Sequence, residues 1–118
     1  MTPREQEIQR RTELSETRVV KAVFPPTTNH HNTLFGGTAL AWMDEVSFIA
    51  ATRFCRLPLV TVSSDRIDFK HAIAAGSIVE LVGRVIKVGR TSLKGEVEVF
   101  VESMSQDGRE KAISGVFS

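Results

Sequence analysis

Between Gly37 and Phe54 the apolar residues recur at helical spacing, as Leu40, Met43, Val46, Ile49, Ala50 and Phe54. The other sides of that helix are filled by Ala39, Ala41, Trp42, Phe48 and Ala51. A helix that is apolar almost all round has no face to give to water, so it is buried. With 118 residues the chain is one domain with a single core, and the remaining sequence has to cover this one helix. Pro58 closes the segment. What a pure core helix does not explain is Asp44-Glu45 in its middle and the glycine pair Gly36-Gly37 at its start.

The flanking sequence reads as strands. "TRVVKAVF" (17–24) is β-branched and apolar and is stopped by Pro25-Pro26. After the helix come four more candidates. "LVTVSSDRIDFK" (59–70) changes parity between Val60/Val62 and Ile67/Phe69, which predicts a bend or bulge near 63–66. "SIVELVGRVIKV" (77–88) follows Gly76. "SLKGEVEVFVES" (92–103) alternates most cleanly, with Leu93, Val97, Val99 and Val101 opposite Lys94, Glu96, Glu98 and Glu102. Asp107-Gly108 is a hairpin signal before "REKAISGVFS" (109–118), and the chain stops in the middle of that strand, as a shortened chain would.

The expected architecture is α+β: a sheet of consecutive antiparallel hairpins curved around one central helix. Residues 1–16, polar and of mixed charge, are a helix or a disordered lead-in, flexible or peripheral to a single domain over 17–118. So small a domain covers only part of an all-round apolar helix, so a second copy is expected to complete its burial as a homodimer.

Composition removes several function classes. A net charge of +1, with arginines scattered apart from Arg10-Arg11, gives no nucleic-acid footprint. No apolar run approaches the ~20 residues that span a bilayer, so no membrane role is expected. The single cysteine, Cys55, suggests a reducing, cytoplasmic setting. With His30, His31 and His71 in no zinc-type spacing, neither a metal nor another cofactor is expected.

Asp44 is the first candidate for chemistry. Its helical neighbours are Leu40, Ala41, Ser47 and Phe48, so it projects onto a mostly apolar face. A desolvated carboxylate in a cleft is a general base or a nucleophile; the plainer role is to cap a loop or pair with an arginine. Glu45, about 100° round the helix, reads as an exposed residue. Gly36-Gly37 offers free N–H groups at the positive end of the helix dipole for an oxyanion, or simply a tight entry turn. Asn29 in the preceding loop is a turn residue or a group that orients water. His30 and His31 read as loop surface. "VGRTS" (88–92) is a hairpin turn, and Gly89, Arg90, Thr91 and Ser92 are also suited to gripping a phosphate or pantetheine group.

"NHHNTLFGGTALAWMDE", "VTVSSDRIDF" and "GRTSLKGEVEV", in that order and spacing, resemble the acyl-CoA hydrolase (acyl-CoA thioesterase) family of hotdog-fold proteins, from about residue 17 to the end. The resemblance implies a five- to six-stranded antiparallel sheet wrapped around one long helix, paired into dimers that often assemble into hexamers. It implies hydrolysis of an acyl-CoA thioester to free CoA and a carboxylic acid, with CoA as part of the substrate rather than a cofactor. Asp44 would be the catalytic carboxylate and Asn29 its helper from the opposite protomer. Gly37 and Gly36 would contact the oxyanion, and Gly89 to Ser92 would bind CoA. Phe35, Met43 and Phe48 are candidate walls of an acyl tunnel. Where the family often has glycine this chain has Asn32, which tolerates a left-handed backbone. The rival reading is a non-catalytic acyl-CoA-binding sensor on the same fold. A hydratase would need an Asp/His pair, and this helix carries no His.

Overall fold

The structure, a computed structural model, describes residues 1–59, 64–103 and 108–118, and of Asp65 the backbone only. Its elements are α1 (Pro3–Ser15), β1 (Thr17–Ala22), a 3-10 turn (Pro25–Thr27), α2 (Gly36–Cys55), β2 (Ser64–Phe69), β3 (Ile78–Val88), β4 (Leu93–Glu102) and β5 (Glu110–Phe117). The five strands form one antiparallel sheet in the order β1-β3-β4-β5-β2, with α2 packed across it.

β3, β4 and β5 follow as hairpins, but β2 does not pair with β3; it lies at the far edge beside β5. The link over 70–77 is the physical reason. Lys70 and His71 donate to the Ala112 carbonyl, the Ile73 side chain is buried, and Leu34 donates to the Ile73 carbonyl at 2.7 Å. The segment thus crosses beneath the loop before α2 instead of turning back on β2. The expected bulge appears as a register shift between Ser64 and Arg66. Val60 and Val62 lie outside the described residues, as does Asp107; Gly108 has φ +92°, a turn conformation that favours glycine.

One stripe of α2, namely Ala39, Met43, Val46, Ser47, Ala50 and Phe54, is buried. It meets the inward residues of the central strands, among them Val79, Leu81 and Val85 of β3, Val97 and Val99 of β4, and Ile113 and Phe117 of β5. The opposite side, with Ala41, Glu45 and Phe48, stays exposed in a single chain. The helix ends on Arg56 at φ 56°, whose N–H closes on the Thr52 carbonyl at 2.7 Å, and Pro58 follows.

Of the two readings of the first residues, the structure has the helix. Thr2 caps α1 through a reciprocal pair with Glu5, and Pro3 opens the first turn. Most of α1 is exposed; it rests on α2 and β3. On the outer face of the sheet, a hydrogen bond to Glu98 holds the Lys111 ammonium above the ordinary lysine range. No helix among the described residues is long and apolar enough to cross a membrane.

Candidate active site

Asp44 sits in the middle of α2, half-buried, and Glu45 beside it is exposed. The Asp44 Oδ1 atom is fully buried and has no hydrogen-bond partner among the described residues. Leaving a buried acceptor unsatisfied costs ~1–3 kcal/mol, and more when it is charged, so such an atom calls for a reason. Among the described residues neither a loop N–H nor an arginine meets that oxygen.

One turn further along the same face, Ser47, Phe48 and Ala51 line a cavity of about 250 Å³. Its other walls include Thr91 and Ser92 of the β3–β4 turn and Phe117 near the end of β5. The structure therefore brings the helical face of Asp44 next to two of the four expected CoA-contact residues. That turn is closed by Gly89 N–H donating to the Ser92 carbonyl at 2.8 Å, and Gly89, Arg90, Thr91 and Ser92 are all exposed. Of the three expected tunnel walls only Phe48 lines this cavity. Met43 is wholly buried against Gly115, where an added Cβ would stand 2.9 Å from Met43 Cε, so it belongs to the core. Phe35 is exposed at the start of α2.

The loop before α2 is held by Asn29. Its Oδ1 accepts from His31 N–H at 2.9 Å, Thr33 N–H at 3.2 Å and Thr33 Oγ1 at 3.1 Å, an Asx arrangement in which one side-chain oxygen ties a short turn. All three bonds use the carbonyl oxygen, so the loop makes no demand on the Asn29 amide nitrogen. Asn32, at φ 59°, supplies the left-handed residue of the turn, and its carbonyl accepts from Ala75 N–H at 2.8 Å. His30 and His31 are exposed and face each other at 3.9 Å between ring centres.

Gly36 and Gly37 form the first turn of α2. Phe35 is the N-cap and makes no side-chain cap hydrogen bond, so the first N–H groups of the helix keep their donor capacity. An added Cβ on Gly37 would meet the Phe35 ring at 2.8 Å, whereas Gly36 faces open space. Room for a side chain at Gly37 would thus depend on the exposed Phe35 ring swinging aside.

Within one chain the expected partners do not meet. Among the described residues no hydrogen bond joins Asn29 to Asp44, and Gly37 and Asp44 lie seven residues apart on one helix, about 10 Å along its axis. Two groupings result: Asn29 with the glycine pair at one end of α2, and Asp44 with the cavity further along. Ser47, which lacks in sequence the His and carboxylate arrangement of a nucleophile triad, is buried against Gly95 and lines the cavity. Its spacing of three from Asp44 was the signal available.

Residues 31–107 match the family model of the thioesterase superfamily. The chain is 41% identical over 99 residues to the uncharacterized acyl-CoA thioester hydrolase YkhA of Bacillus subtilis, a stretch covering 82% of this chain and 58% of that one. The acyl-CoA hydrolase of Staphylococcus aureus, solved in complex with butyryl coenzyme A, coenzyme A and coenzyme A disulfide, is 31% identical with a TM-score of 0.86, over 90% of this chain and 65% of that one. A hexameric thioesterase from Yersinia pestis is 32% identical with a TM-score of 0.77, over 84% and 80%. The chain spans less than two thirds of the length of the first two of these proteins.

Proposed function

The chain belongs to the thioesterase superfamily and has its hotdog fold, and on that premise we propose that it hydrolyses acyl-CoA thioesters to free CoA and a carboxylic acid. The observation that carries the proposal is the buried Asp44 oxygen, without a partner among the described residues and one helical turn from the cavity rimmed by Thr91 and Ser92. A carboxylate kept away from hydrogen-bond donors is reactive toward a proton or a carbonyl carbon.

Two routes use the same groups. As a base, Asp44 takes a proton from water; the hydroxide adds to the thioester carbon, the C–S bond breaks, and the CoA thiolate recovers the proton. As a nucleophile, Asp44 adds to that carbon, the C–S bond breaks to leave a mixed anhydride, the CoA thiolate takes a proton from water, and the hydroxide so formed cleaves the anhydride to the carboxylic acid and the Asp44 carboxylate. In both, negative charge gathers on the carbonyl oxygen and is met by the N–H of Gly37, with Gly36 beside it, at the positive end of the α2 dipole.

The donors must lie about 3 Å from that oxygen while the carboxylate reaches the attached carbon. One helix cannot do both across two turns, so the site is built from two protomers. Gly37, Gly36 and Asn29 come from one and Asp44 from the other, and the exposed side of α2 with Phe48 is covered in the same dimer. The Asn29 amide nitrogen, uncommitted in its own loop, orients the water or the carbonyl. Gly89, Arg90, Thr91 and Ser92 receive the CoA portion. Further assembly of dimers into hexamers accords with the hexameric relative. Water, a carboxylate and hydrogen-bond donors are sufficient for this reaction, so the proposal assigns no metal and no cofactor.

Release of free thiol from a panel of acyl-CoAs, short to long, tests the assignment. Turnover on at least one chain length that collapses in Asp44→Asn supports it. Tight acyl-CoA binding with no thiol release at any length would replace the enzyme by a sensor module.

A further inference from the structure

A second recess, of about 430 Å³, lies between α1 and the C-terminal end of α2. Four of the side chains that line it are arginines: Arg10 and Arg11 from α1, and Arg53 and Arg56 from the end of α2. Leu14 and Phe54 supply its apolar part. The volume falls within the range of roughly 300–1,000 Å³ that small-molecule sites occupy.

Among the described residues one carboxylate meets the four arginines gathered here. Arg10 and Arg11 share one carboxylate oxygen, Oε1 of Glu7, each at 3.0 Å. Arg53 donates to the Thr17 hydroxyl at 3.2 Å, and among the described residues neither Arg53 nor Arg56 meets a carboxylate. The carbonyl end of α2 accounts for part of this, because a helix C-terminus attracts cations. It does not account for Arg10 and Arg11, which arrive on a different helix. Four arginines among the residues that line one recess bring like charges together, and a multivalent anion relieves the repulsion between them. Guanidinium forks match phosphate oxygens two at a time, a geometry that lysine lacks.

We propose that this recess binds a diphosphate group. The inference rests on the arginines alone and is independent of the thioester reaction. The group has two sources, free inorganic diphosphate or the diphosphate of CoA itself, and the experiment separates them.

The full chain is titrated calorimetrically with inorganic diphosphate and, separately, with CoA, at two salt concentrations. One saturable site for diphosphate is expected, weaker at the higher salt. Its affinity should fall at least tenfold in the Arg10→Gln/Arg56→Gln double variant and stay within twofold in Arg90→Gln, which alters the β3–β4 turn instead. If CoA displaces diphosphate and its own binding weakens in the double variant, the recess holds the diphosphate of CoA. If CoA binds equally well in both proteins, the recess serves a separate phosphate compound. Circular dichroism checks the fold. Should the glutamines unfold the chain, Arg10→Lys/Arg56→Lys decides, since it keeps every charge but loses the forks: weaker binding supports the site and unchanged binding overturns it. No saturable uptake by the unaltered protein, no loss in the double variant, or a loss in Arg90→Gln instead would each sink the proposal.

Discussion

Val46 of α2 lies directly against Gly83 of β3: a Cβ on Gly83 would stand 2.7 Å from Val46 Cγ1 and 3.2 Å from the Val46 carbonyl oxygen. The valine is stiff at χ1 in a helix and the carbonyl cannot move without its turn, so neither neighbour gives way. Gly83→Ala is therefore expected to lower stability by ~1–3 kcal/mol, the usual cost of overpacking. Gly95→Ala is the control. Its added Cβ would meet Ser47 Oγ at 2.7 Å, but that hydroxyl can rotate, so a smaller loss is expected. Urea unfolding of the two variants should rank them in that order; equal losses would mean that α2 shifts as a whole.

Asn29 offers a way to separate a loop-holding role from a chemical one. Its three hydrogen bonds all end on Oδ1, so Asn29→Asp keeps every acceptor and removes only the amide donor. Asn29→Ala removes both. The alanine variant should lose ~1–3 kcal/mol of stability, as donors in the loop lose their acceptor, while the aspartate variant should unfold near the parent midpoint. Thioester hydrolysis should fall in both. Full activity in Asn29→Asp would confine this residue to the loop.

At Asn32 the prediction concerns backbone alone. A left-handed residue other than glycine is strained by roughly 1–2 kcal/mol, a cost that asparagine lessens and a β-branched residue does not. With φ at 59°, Asn32→Gly should leave thermal stability almost unchanged, while Asn32→Val should lower it by about that amount. If both variants melt together, the turn is not held in this conformation by the loop around it.

The sequence made some of these features legible and hid others for definite physical reasons. Period and parity are local, so α2 and the β3 and β4 strands could be read residue by residue, and the bulge near Ser64 appeared as a change of parity. The place of β2 could not be read that way. It depends on a link that buries Ile73 beneath a loop some forty residues earlier, a contact with no periodic signature. The surroundings of Met43 are hidden for a related reason. A methionine on an apolar helix looks the same whether it faces a tunnel or a glycine on a strand, and only the sheet order puts Gly115 opposite it. Asp44 was legible because a charge among apolar helical neighbours is a local anomaly. That its buried oxygen lacks a partner among the described residues is a tertiary fact.

Asp44 also yields the prediction that best separates a functional carboxylate from a structural one. A structural aspartate would be held by donors, and its replacement by asparagine would cost stability. Among the described residues Asp44 Oδ1 has no such donor, so the folded chain carries a buried acceptor that no hydrogen bond rewards. Asp44→Asn keeps the shape and removes the charge, and the half-buried side chain can turn its amide toward the more accessible edge. The variant is therefore expected to unfold at the same or a higher temperature than the parent. Thiol release from acyl-CoA should meanwhile fall by ~10²–10⁴-fold, the contribution typical of a positioned acid–base group. Stability and activity would then move in opposite directions, as they do where a site is kept strained for its chemistry. Thermal unfolding and turnover measured on the same preparation decide it. A lower melting temperature with turnover retained would show that the carboxylate serves the fold and not the reaction.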